Sequence, residues 1–111
     1  MISQQQFEKD FEDFVSEMRT TLIKKNFDYT GASNDPLFNF RKAEQMGIPG
    51  WKAALIRFGD KFSRMCTFAK MGELKVSDEN FLDTVKDAAN YLFLMQELFK
   101  ENQHDKNTTT S

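Results

Sequence analysis

Residues 81–99, reading FLDTVKDAANYLFLMQELF, decide the fold. On a helix of 3.6 residues per turn, Phe81, Val85, Ala88, Leu92, Met95 and Phe99 form one apolar stripe, and Leu94 and Leu98 fall on nearly the opposite side. A helix patterned in this way has to be covered on two faces. Its first half carries Asp83, Asp87 and Asn90 on the side that Leu94 and Leu98 continue, so polar groups enter a surface that the apolar residues mark as packed. Such a conflict between pattern and burial is where function is expected.

A second helix partners it upstream. Over residues 51–70, Trp51, Leu55, Phe58, Phe62, Met65 and Ala69 make one stripe. Well round the helix from them, Arg57, Asp60, Lys61 and Arg64 stand at i, i+3, i+4 and i+7 along one flank. The connection over residues 71–79 is short, with Gly72 a helix stop and Ser77 an N-cap followed by acidic Asp78 and Glu79. The two helices are therefore expected to be antiparallel neighbours.

The N-terminal part supplies the remaining elements. Phe7, Phe11, Phe14, Met18 and Leu22 recur at steps of three and four, which predicts an amphipathic helix over residues 4–25. Residues 26–39, NFDYTGASNDPLFN, are dense in turn formers and predict a long loop, pinned by its aromatics and expected to wall a pocket with Tyr29 or Phe38. A short helix from Phe38 or Asn39 to Gln45 follows, ended by Gly47 and the turn GIPG at 47–50. The last helix is expected to end near Lys100. Residues 102–111, NQHDKNTTTS, have no apolar residue and read as a disordered tail that removes His104 from any catalytic role. No strand signal competes, so the expected fold is all-α: one domain over residues 1–101, a compact bundle of three long helices and one short one.

Composition narrows the function classes. Hydrophobic residues make up 40% of the 111 residues and charged ones 29%, as in an ordinary globular domain. The twelve phenylalanines are mostly core, although any of them also offers a flat surface to a base. A net charge of −2 supplies no basic field, which disfavours polymeric nucleic acid as a partner. Cys66 is the single cysteine, so neither an internal disulfide nor a zinc site is expected. No apolar run approaches the roughly 20 residues of a membrane span, and the first residues lack a signal-peptide pattern. The cytoplasm is the expected compartment. The apolar coverage around residues 88–99 further predicts a homo-oligomer, most simply a two-fold dimer with the last helix at or near the interface.

The two polar flanks admit more than one use. Arg57 or Lys61 can pair with Asp83 or Asp87, which satisfies the charges without a ligand. Alternatively Arg57, Lys61 and Arg64 donate to phosphate oxygens, while Asp83 and Asp87, one turn apart, hold a magnesium ion against a nucleotide phosphate. Tyr29, Phe38, Phe40 or Trp51 then stacks on the base, and Asn39 or Asn90 reads its edge.

The run KNFDYTG, the pair Asn39 and Phe40, then WKAALIRFGDKFSR and DTVKDAANY resemble the nucleotide modification associated domain (type 1) family of small helical proteins, found largely in phages. The resemblance spans roughly residues 24–95, and it is strongest at Asp60, Lys61 and Arg64 and at Asp83, Asp87, Asn90 and Tyr91. It implies a nucleotide ligand without fixing a reaction. That family is in turn distantly similar to the all-α nucleotide pyrophosphatases, which hold magnesium with four carboxylates on two helices. Here Asp60, Asp83 and Asp87 face three cations instead, a poorer cage for the metal. The leading expectation is thus a phage-type protein of the host cytoplasm that processes a nucleotide in modified-nucleotide metabolism or sequesters a host defence signal such as a cyclic nucleotide. A magnesium-dependent nucleoside triphosphate pyrophosphatase is the alternative from the enzyme class. A helical interaction module using a surface at Leu94 and Leu98 is the third.

Overall fold

The computed structural model describes the backbone of residues 1–30, 35–74 and 80–109, and side chains within 1–24, 35–74 and 80–105. The chain is all-α, and among the described residues there is no strand. Four helices pack together: α1 (Gln4–Thr30), α2 (Arg41–Gln45), α3 (Gly50–Met71) and α4 (Phe81–Thr109), with a 3-10 turn at Phe38–Phe40 leading into α2.

Local chemistry sets the helix ends. Ser3 Oγ accepts the Gln6 N–H at 3.1 Å and caps α1. Gly72, at φ 77°, takes the left-handed conformation that stops α3 and donates its N–H to Phe68 O at 2.8 Å. Asn80 Oδ1 accepts the Asp83 N–H at 2.8 Å, so Asn80 caps α4; Ser77, the cap expected from sequence, lies outside the described residues.

Two helix ends differ from the sequence reading. The backbone of α1 continues through Thr30, well into the expected loop, and α4 continues to Thr109 rather than ending near Lys100. Residues 26–30 and 101–109 contain neither Pro nor Gly, so nothing in them breaks a helix already under way. Tyr29 sits in the first of these segments, and its side chain lies outside the described residues.

The packed faces of α3 and α4 overlap the edges of their apolar stripes and are not centred on them. The helices are antiparallel, with Trp51 edge-on to Phe99 at 5.6 Å at one end and Phe68 stacked on Phe81 at 4.5 Å at the other. The buried positions of the two helices are Gly50, Ala54, Thr84, Ala88, Asn90 and Leu98, mostly small residues that let the helix axes approach. A Cβ on Gly50 would stand 2.8 Å from Leu98 Cδ2, which shows how close that approach is. Consequently Leu55, Phe62, Leu92 and Phe99 are exposed. The interaction reading is corrected at the same point: Leu98 is only 3% exposed and packs with Leu37, Phe40 and Ala54, so it offers no surface to a partner.

Helix α1 lies against α4 and the 3-10 turn. Lys86 of α4 pairs with Glu17 of α1, and this hydrogen bond raises the Lys86 pKa. On the far half of α1, Phe7, Phe11 and Val15 are exposed. The radius of gyration is 16.6 Å, against about 13 Å for a compact chain of this length.

Candidate functional site

Where the end of α1 stands off α3, a cavity of about 790 Å³ opens. Its floor comes from Ala53, Ile56 and Arg57 of α3 and from Asp87, Asn90, Tyr91, Phe93, Leu94 and Glu97 of α4. Leu22 and Ile23 of α1 wall one side, and Pro36, Leu37, Asn39 and Phe40 wall another. The volume suits a small organic ligand, and the lining has the mostly apolar character with a few polar groups that such sites share.

Three features give the cavity its chemistry. Asn90 is 7% exposed, and both its Oδ1 and its Nδ2 are buried with no hydrogen-bonding partner among the described residues. An unpaired buried amide typically costs about 1–3 kcal/mol, so this side chain calls for an explanation. Beside it, Arg57 Nη2 donates to Tyr91 Oη at 3.3 Å, and the Arg57 guanidinium carbon lies 5.7 Å from the Tyr91 ring centre. The third feature is the seam below the cavity, where Lys61 Nζ lies 3.3 Å from Asp87 Oδ2 with both side chains largely buried.

A clamp holds the wall at residues 35–40 in place. The Arg41 guanidinium donates to Asp35 at 2.7 and 3.2 Å, to Glu101 at 2.6 and 3.0 Å, and to Glu44 at 2.6 Å. The hydrogen bonds that Glu101 and Asp35 accept raise the Arg41 pKa, and Arg41 in turn holds the Asp35 carboxyl below its ordinary value of 3.8. Asp35 also accepts the Leu37 N–H at 2.9 Å, which turns Leu37 toward the core. An open groove beside the clamp is lined by Arg41, Glu44, Gln45, Glu101 and Asp105. Its carboxylates make it a poor seat for a phosphate.

Of the residues singled out from sequence, Asn39, Arg57, Asp87, Asn90 and Tyr91 come together in the cavity. Lys61 joins them indirectly through Asp87. Arg64 is half-buried one turn further along α3, and Asp60 and Asp83 are exposed; none of these three lines the cavity. Phe38 is 45% exposed and is also outside the lining. In a 3-10 turn residues i and i+3 share a side, so Leu37 and Phe40 turn inward together and Phe38 turns away. The apolar wall of Leu22, Ile56 and Phe93 escaped the sequence reading; Ile56 and Phe93 lie off the apolar stripes of their helices, which was the available signal.

The donor set does not fit a magnesium ion held by Asp83 and Asp87. Asp87 already faces the Lys61 ammonium, which repels a divalent cation, while Asp83 stands exposed on the first turn of α4. Among the described residues no three His, Cys, Asp or Glu side chains are grouped so that they could hold a metal ion. Comparison with family models, with curated proteins and with solved structures returned no match. The functional reading therefore stands on the geometry of the cavity and the residues that line it.

Proposed function

We propose that the chain binds a nucleotide in this cavity, with the base enclosed between the apolar walls and the phosphate at the Arg57 edge. The observation that carries the reading is the unpaired amide of Asn90. An amide presents one acceptor next to one donor, the complement of a nucleobase edge such as N6 and N7 of adenine. Tyr91 adds an aromatic surface beside it, and Arg57 supplies a cation that a phosphate can share with the tyrosine. The likeness to the nucleotide modification associated domain family, through Asp87, Asn90 and Tyr91, points to the same class of ligand.

Holding the nucleotide is favoured over cleaving it, because the two carboxylates of the cavity lining, Asp87 and Glu97, each face a lysine, Lys61 and Lys100. Sequestration of a phage host's signalling nucleotide in the cytoplasm needs affinity alone. Titration calorimetry against mononucleotides and cyclic nucleotides, with and without magnesium, tests this reading. Heat of binding without turnover supports it, magnesium-dependent turnover replaces it with the pyrophosphatase reading, and an absence of binding across the panel removes it.

A further inference from the structure

The α3–α4 pair has a second face, turned away from the cavity, that the pocket does not use. Leu55 and Phe62 on α3 and Leu92 and Phe99 on α4 are each 41–54% exposed there. The two stripes lie on one side of the pair, since Trp51 at the head of one meets Phe99 near the foot of the other. Within an arc of roughly 120° centred on these stripes, neither residues 51–69 nor residues 81–99 carry an Asp, Glu, Lys or Arg. Loss of charge from the centre of a patch is the compositional mark of an interface core.

We infer that this face seats the same face of a second copy of the chain, so that α3 and α4 of two protomers form a four-helix core about a two-fold axis. The areas agree with that occupant. A compact folded chain of this size exposes roughly 6,300 Å², whereas this one exposes 8507 Å². The excess of about 2,200 Å², which the exposed first half of α1 shares with this face, leaves room for the burial of a homodimer. The small interior points the same way. Among the described residues the buried apolar side chains are Leu37, Phe40, Ala54, Ala88 and Leu98, too few to offset the ordering of so long a chain. Burial that the fold itself depends on has to come from a partner present whenever the chain is made, and another copy meets that condition. An uncharged face is also compatible with its own image, as a two-fold interface requires. The inference does not rest on the ligand of the cavity.

Sedimentation equilibrium of the full chain at 1–100 µM, paired with thermal melts over the same range, tests it. The expected result is the mass of a dimer and a melting temperature that rises with protein concentration. Phe62→Glu and Leu92→Glu, which place a charge at the centre of the face, are expected to give monomers. Should either fail to fold, Leu92→Ala is expected to raise the dimer dissociation constant about tenfold or more. A monomeric mass throughout overturns the inference, as does a dimer that all three variants leave intact. Flotation of a monomeric chain with anionic phospholipid vesicles also overturns it, by showing that the face meets a membrane surface.

Discussion

The two faces of the α3–α4 pair are built from the same two helices and differ in what they do with polar groups. The face toward α1 keeps Asn90, Arg57, Asp87 and Tyr91 around a cavity, and it leaves one amide unpaired. The opposite face carries no charge and leaves Leu55, Phe62, Leu92 and Phe99 uncovered. A polar group buried without a partner and an apolar group exposed without one are both unfavourable, yet they call for different remedies. The first needs a ligand that matches donor to acceptor, and the second needs only area. The two faces therefore point to different partners.

Substitutions can break or sharpen this contrast. The largest expected effect is at the seam between the faces: Asp87→Ala removes the carboxylate that faces the largely buried Lys61 ammonium, and is expected to destabilise the fold by about 3 kcal/mol. Urea unfolding measures this. A loss below about 1 kcal/mol would show that the seam is solvated.

Arg41→Ala is expected to cost about 2 kcal/mol, because Asp35, Glu44 and Glu101 are then left facing one another. Its pH dependence is more specific. Arg41 lowers the folded-state pKa of Asp35 below 3.8, so the stabilisation is fully present above about pH 4 and is lost as pH falls through the folded value. Acid unfolding of the parent is expected to be steeper below pH 4 than that of Arg41→Ala. Parallel acid curves would remove Asp35 from the clamp. Nucleotide affinity is expected to fall as well, since the clamp holds one wall of the cavity.

The smallest stability effect is expected at Arg57, which is exposed and reaches across to Tyr91. Arg57→Ala is expected to change stability by less than about 0.5 kcal/mol and to weaken nucleotide binding about tenfold. An unchanged affinity would place the phosphate elsewhere.

Much of this was legible in the sequence, and the parts that were not share a cause. The helices at the centre of the fold follow from apolar spacing; Asp87 and Asn90 stood out because they interrupt it, Arg57 because it belongs to a charged flank, and Tyr91 through the family resemblance. Which side of each helix is packed could not be read from the same spacing. Gly50, Ala54, Thr84 and Ala88 set the contact through close approach, and small residues add little to an apolar stripe. The clamp was hidden for another reason: Arg41 and Glu101 are sixty residues apart, and nothing local marks either as the other's partner. Phe38 and Phe40 are alike in composition and differ only through the three-residue repeat of the turn that holds them.

The central claim is that the unpaired amide of Asn90 exists for a ligand. Asn90→Leu keeps the shape of the side chain and removes both of its polar atoms, and stability and nucleotide affinity should be measured together on this one variant. The expected result is a gain of about 1–2 kcal/mol in stability, because a buried unpaired amide is gone, with binding reduced below detection. A destabilised variant, or one that binds nucleotide as the parent does, would contradict the account.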